Sequence, residues 1–265
     1  MKLLSLEHDY TCVLASRLAY EPKDGEEEEF ADLRTEMWEL GYNLTKTFDS
    51  EDQNDVQLSV FESETDLIIA FRGTDSLQDL LVDLKSAVLI DFKNGVGQIG
   101  KGVHGCVDAV QDCVDRLVYF TKKRVTFTGH SIGGVLACAV ASTQTPAPLT
   151  ITFGCPLIGD KEFTRAFNNA VVHHRWVNGN DIITRVPWRL GRFKHTRTLH
   201  YITMGHRIAK AWIAPSWLKM QLNRWGWFKI SPSRWAKTAL TNHPVRSYHL
   251  GLKTVMLQRA FDQYK

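Results

Sequence analysis

The spacing of apolar side chains switches between two periods along the chain. Residues 8–20 place Val13, Leu14 and Leu18 at helical intervals, which predicts a helix. The acidic run Glu26 to Glu29 then predicts the first turn of a second helix over roughly 26–40, where carboxylates oppose the positive end of the dipole. Period two takes over at 56–62, VQLSVFE, where apolar and polar residues alternate. Residues 66–72, DLIIAFR, are almost continuously apolar, as a strand covered on both faces would be. Residues 103–122 return to helical spacing with Val107, Val110, Val114, Leu117 and Val118. A short β-branched strand, VTFT at 125–128, runs straight into GHSIGG and then VLACAVAS, the composition of a tightly packed helix. TITFG at 150–154 and VVHHRWVN at 171–178 read as later strands, and 241–261 as a closing helix whose start is blurred by Pro244. Strands alternating with helices predict an α/β fold, a mostly parallel central sheet flanked by helices.

At 265 residues the chain can bury one large core, and neither an internal repeat nor a long linker divides it. The expectation is a single domain over 1–265. No apolar run reaches the roughly 18 residues of a spanning helix. Glu7 and Asp9 interrupt the short apolar start, which is not the pattern of a secretory signal. A cytoplasmic or peripheral-membrane location follows as the expectation. Cys12, Cys106, Cys113, Cys138 and Cys155 are odd in number and contain no CxxC pair, so free thiols are expected rather than disulfides, zinc or a cysteine nucleophile.

The net charge of +3 hides an asymmetry. Residues 1–181 hold 16 Lys/Arg against 28 Asp/Glu, which is −12, whereas residues 182–265 hold 16 against the single acid Asp262, which is +15. Either the basic part meets an anionic partner, or the two parts neutralise each other in the fold.

Gly129-His130-Ser131-Ile132-Gly133-Gly134 fits G-x-S-x-G. A serine nucleophile on a strand-to-helix turn sits on sharply bent backbone, and a side chain at Gly129 or Gly133 would strike the neighbouring chain. The helix N-terminus behind such a turn favours developing negative charge.

With Phe71-Arg72-Gly73-Thr74-Asp75, Phe153-Gly154-Cys155-Pro156-Leu157-Ile158-Gly159-Asp160 and Val177-Asn178-Gly179-Asn180-Asp181, this segment forms four ordered motifs that resemble the class 3, or fungal-type, lipases. The resemblance covers about residues 66–186 and extends weakly to Ala15-Ser16-Arg17-Leu18-Ala19-Tyr20 and to a histidine near the C-terminus. It implies an α/β-hydrolase fold and hydrolysis of acylglycerols or related esters.

Serine needs a histidine base, and the histidine needs a carboxylate that fixes its tautomer. In α/β-hydrolases these follow in the order Ser, acid, His. After Ser131 the acids are Asp160, Glu162, Asp181 and Asp262. Asp262 has no histidine after it, Glu162 is placed to open a helix, and the lipase resemblance makes Asp160 structural. Asp181 follows the strand VVHHRWVN, at the end where α/β folds place chemistry, and the resemblance puts the acid there too. For the base, Asn242-His243-Pro244-Val245-Arg246-Ser247-Tyr248 resembles the pattern of a histidine followed five residues later by tyrosine and a helix, although Pro244 departs from it. His249 is the rival, inside the expected helix. The oxyanion donors are the backbone N–H of Ile132, after the nucleophile, and, by the resemblance, Thr74. His130 matches the family and is expected to point away from the site.

Residues 205–240 contain no acid, seven Lys/Arg and five tryptophans, Trp212, Trp217, Trp225, Trp227 and Trp235. Indoles beside cations suit an anionic membrane interface, so this basic insertion is a candidate docking segment or lid. Packing against the core is the alternative, and no motif supports nucleic-acid binding. The amphipathic stretch 76–85, SLQDLLVDLK, is the other lid candidate. The expected reaction is carboxylic-ester hydrolysis of lipid or other ester substrates through Ser131, His243 and Asp181, without metal or cofactor. Acyl transfer to another alcohol, or a non-catalytic binding module, are the alternatives.

Overall fold

A computed structural model describes residues 6–50, 56–74, 88–93, 95–187, 192–196, 199–203, 208–211 and 241–263. The lid candidate 76–85 lies outside the described residues, and so does the tryptophan-rich stretch apart from Ile208–Ala211.

Two helices open the chain, α1 (Leu6–Leu18) and α2 (Glu27–Glu39). Strands β1 (Asn43–Asp49), β2 (Gln57–Glu62) and β3 (Asp66–Phe71) follow as an antiparallel meander. A small hairpin, β4 (Leu89–Asp91) and β5 (Gln98–Gly100), leads into the long helix α3 (Lys101–Phe120). Next come β6 (Arg124–His130), α4 (Ile132–Ala141), β7 (Leu149–Phe153), α5 (Lys161–Ala170) and β8 (His173–Asn178). The chain closes with β9 (Leu199–Ile202), β10 (Ile208–Ala211) and α6 (Val245–Gln263).

The main sheet has the order β1-β2-β3-β6-β7-β8-β9-β10. The run from β3 through β6, β7 and β8 to β9 is parallel, and antiparallel pairs sit at both ends. The alternation of β3 explains its continuous apolar sequence. Leu67, Ile69 and Phe71 join one core with Phe127, Val107, Val110, Val114 and helix α4, while Ile68 and Ala70 join a second core with α1, Phe153, Trp176 and Tyr248. Successive side chains point to opposite faces, and both faces carry helices.

Helix α1 is buried along most of its length, polar residues included. Its polar groups have partners in the sheet: His8 Nε2 lies 3.0 Å from Thr126 Oγ1, Ser16 Oγ 2.9 Å from Thr128 Oγ1, and Asp9 Oδ1 2.9 Å from His174 Nδ1. These contacts offset the desolvation that burial imposes. Part of the charge asymmetry is also resolved within the fold, because α6 pairs Lys253 with Glu36 and Arg246 with Glu29 on α2.

The closing helix starts at Val245, directly after Pro244, which leaves His243 outside it. Strands β1, β9 and β10 and the β4–β5 hairpin were not read from the sequence. Among the described residues no helix is long and apolar enough to cross a membrane.

Candidate active site

The ends of β3, β6, β7 and β8 lie side by side in the parallel part of the sheet, and each contributes to one cluster. Ser131 sits between β6 and α4 with φ 58° and ψ −126°, the one non-glycine residue of positive φ among those described. Such backbone costs about 1–3 kcal/mol for a residue with a side chain. The surroundings hold it there: Ser131 N–H donates to the Phe153 carbonyl at 2.9 Å. The flanking glycines permit the turn by close approach. A methyl at Gly129 would lie 2.4 Å from the Gly133 carbonyl, and one at Gly133 would lie 2.2 Å from the Phe71 carbonyl.

Ser131 Oγ is 2.9 Å from His243 Nε2, and His243 Nδ1 is 3.0 Å from Asp181 Oδ2. Three residues up to 112 positions apart thus form one hydrogen-bonded row. All three are buried, Ser131 to 1% and Asp181 to 0% exposure. Asp181 Oδ1 accepts from the Ile183 N–H at 2.9 Å, and Oδ2 accepts a second bond, from the Tyr248 hydroxyl at 2.6 Å. Burial and the carboxylate beside it push the Tyr248 phenol well above its ordinary range, so it remains a donor. A carboxylate with three donors is fixed in direction.

Ile132 is the first residue of α4, so its N–H has no intrahelical acceptor. Gly73 lies against Ser131: a methyl there would come within 3.4 Å of Ser131 Cβ. Thr74, half-buried, follows it directly. Ile132 thus adjoins Ser131 along the chain, and Thr74 follows the glycine that lies against Ser131.

His249 is not brought to Ser131. Its Nδ1 accepts from Arg17 Nη1 at 3.0 Å and its Nε2 faces the Tyr10 hydroxyl at 2.9 Å, between α1 and α6. Asp160 caps α5 by accepting from the Phe163 N–H at 2.8 Å. His195 bonds the Thr184 carbonyl, and His200 packs on Trp176. His206 lies outside the described residues.

One expectation needs correction. His130 was expected to point away from the site, yet its ring lies 4.7 Å from that of His243. Its Nε2–H donates to the His243 carbonyl at 2.6 Å, and its Nδ1 lies 2.9 Å from the Tyr20 hydroxyl. Burial and the neighbouring His243 hold its pKa well below the ordinary histidine value. The reason is β6 geometry: the side chain before the elbow faces the opposite side of the sheet from Phe127, where α1 and α6 pack. Sequence reasoning also missed the contact of Tyr248 with Asp181, although the tyrosine was visible five residues after His243. Gly154 was missed as well. It has φ +60°, and a methyl there would lie 3.1–3.3 Å from Asp181 Oδ2, His243 Nδ1 and His130 Nε2.

The fold is that of an α/β-hydrolase, with a serine elbow after a central strand and its hydrogen-bonding partners on the following loops. Residues 68–190 match the family model described as Lipase (class 3). A lipase from Rhizomucor miehei is 28% identical over 157 residues, which cover 54% of this chain and 43% of that one. A lipase from Caenorhabditis elegans is 31% identical over 137 residues, 46% of this chain and 38% of that one. The chain thus spans less than half the length of these curated relatives. Among solved structures, the mono- and diacylglycerol lipase from Aspergillus oryzae superposes with a TM-score of 0.65 at 18% identity, covering 78% of this chain and 86% of that one. The triacylglyceride lipase of Rhizomucor miehei gives 0.64 at 21% identity, covering 78% and 84%.

Proposed function

We propose that the chain is a serine carboxylic-ester hydrolase, and more narrowly a lipase acting on acylglycerol or phospholipid acyl esters. The observation that carries this reading is the row Ser131–His243–Asp181, with its 2.9 and 3.0 Å bonds. The names of two similar solved structures, lipases of acylglycerols, favour the acylglycerol part of this reading.

In this mechanism Ser131 Oγ attacks the ester carbonyl carbon while its proton passes to His243 Nε2. Asp181 stabilises the imidazolium that forms. The carbonyl oxygen becomes an oxyanion and accepts from Ile132 N–H and from Thr74, donors worth roughly 3–4 kcal/mol each when preorganised. The tetrahedral intermediate collapses, and His243 gives its proton to the leaving alcohol. A water then loses a proton to His243 and attacks the acyl-enzyme. The second intermediate releases the carboxylic acid and returns the proton to Ser131. No metal or cofactor enters any of these steps.

A fluorophosphonate probe tests the nucleophile. Labelling of folded protein at Ser131, abolished in Ser131→Ala, is expected, and unlabelled wild-type protein would overturn the reading. Hydrolysis assays across triacylglycerol, phospholipid and short soluble esters, with Ser131→Ala as control, then set the substrate class.

For the basic stretch 205–240 we propose docking on an anionic lipid surface, on the strength of its five tryptophans, seven cations and lack of acids. Binding to vesicles should rise with the fraction of anionic lipid and fall with added salt. Salt-independent binding would exclude it.

A further inference from the structure

Tyr20 and His130 form a contact pair next to the catalytic row that the ester-hydrolysis steps do not use. Tyr20 follows α1 and touches two separate pieces of the chain, the end of β6 and the Arg72–Gly73 turn. Its hydroxyl lies 2.9 Å from His130 Nδ1. The same hydroxyl presses on Gly73, where an added methyl would stand 2.3 Å from it. The Arg72 guanidinium lies 6.0 Å from its ring centre. Gly73 in turn immediately precedes Thr74.

The direction of each bond is fixed by chemistry. A carbonyl oxygen only accepts, so His130 must present N–H at Nε2 to the His243 carbonyl. The ring is held neutral, so its Nδ1 carries a lone pair and must accept from Tyr20 O–H. The tyrosine proton therefore selects the histidine tautomer that can hold His243. With the other tautomer, the Nε2 lone pair would face the carbonyl oxygen at 2.6 Å, which is repulsive.

We infer that Tyr20 and His130 are positioning residues: together they hold the loop of His243 by its backbone carbonyl and seat the Gly73–Thr74 turn against Ser131, so that base and oxyanion donors share one support. This rests on the hydrolase reading above. The row Ser131–His243–Asp181 orients the imidazole through its ring nitrogens. The Tyr20–His130 pair acts on the main chain of the same residue from the other side.

Three variants test it: Tyr20→Phe, His130→Gln and His130→Leu, assayed on a soluble ester. Tyr20→Phe and His130→Leu should lower kcat roughly tenfold or more, with KM within about twofold, because sub-ångström misplacement of a base costs rate rather than binding. His130→Gln should retain kcat within about threefold of the wild type, because its amide N–H reaches the same carbonyl. The independent readout is the low-field proton NMR resonance of the His243–Asp181 bond, which should broaden or move upfield in Tyr20→Phe.

Unchanged kcat and an unchanged resonance in Tyr20→Phe would overturn the inference. So would a His130→Gln protein as impaired as His130→Leu at wild-type melting temperature. Should His130→Leu fail to fold, Tyr20→Phe decides alone. If wild-type protein resists the fluorophosphonate, the hydrolase reading fails, and the resonance still reports whether the pair holds His243. The two failures are therefore distinguishable.

Discussion

Tyr248 donates to Asp181 Oδ2 at 2.6 Å, the same oxygen that receives His243 Nδ1 at 3.0 Å. The first turn of α6 thus fixes the carboxylate on which His243 leans. Tyr248→Phe keeps the buried ring and removes only the donor. Loss of a buried bond to a charged acceptor costs about 1.5–3 kcal/mol, so a lower melting temperature is expected. A several-fold fall in kcat should accompany it, because Asp181 gains freedom to turn. Calorimetry with steady-state kinetics checks both, and a variant equal to wild type in both would show the bond to be unimportant.

Ser131 occupies a backbone region that glycine enters freely. Ser131→Ala and Ser131→Gly both remove the hydroxyl proposed as nucleophile and should both be inactive. Their stabilities should differ. Alanine keeps the strain, whereas glycine releases it, less about 0.4–1 kcal/mol for the greater freedom of the unfolded chain. Ser131→Gly should therefore unfold at higher denaturant than Ser131→Ala. The reverse order would mean that the turn at 131 is not strained.

The His249 site gives a pH dependence with a defined sign. Burial and the Arg17 guanidinium hold its pKa down to about 4, against about 6.5 unfolded. Between these values the unfolded chain binds a proton that the folded protein refuses. Stability should then fall as pH drops from about 6.5 to about 4, with no further loss from this residue below that. His249→Gln supplies an acceptor for Arg17 and a donor toward Tyr10 without titrating. Urea midpoints at pH 7.5 and 5.0 should lie closer together in the variant than in wild type. Some slope will remain, since burial also lowers His8, His173 and His195. Equal slopes in the two proteins would rule His249 out as a contributor.

How far the sequence could be read depended on whether the determinant was local. The elbow was legible because its glycines and serine are neighbours and the turn admits few other residues. Asp181 was legible through scarcity, since only four acids follow Ser131. His243 was legible only through the family resemblance, because Pro244 blurred the start of the closing helix, which is Val245. Strand β1 was invisible because it lies at the sheet edge with nearly every residue exposed, so no apolar alternation marks it. Strand β9 has four residues, too few to establish a period. His130 was misjudged because its partners, Tyr20 and His243, are 110 and 113 residues away. A buried histidine looks the same in sequence whatever it bonds.

Gly154 offers the sharpest separation of catalysis from folding. It directly follows β7 at φ +60° and faces Asp181, His243 and His130 with no side chain between them. Gly154→Ala would add a methyl 3.1 Å from Asp181 Oδ2 and 3.2 Å from His243 Nδ1, against the bond those two atoms share. The unfavourable φ costs about 1 kcal/mol, which a well-packed domain survives. The bond between His243 and Asp181, by contrast, must lengthen or tilt to admit the methyl. A shift of this kind costs up to about 100-fold in rate. The expected protein is folded, slightly less stable, binds substrate with near wild-type KM, and has kcat lowered by about one to two orders of magnitude. A Gly154→Ala protein with full kcat would mean that Asp181 need not hold His243 at its present distance, and the role given to the carboxylate would fail with it.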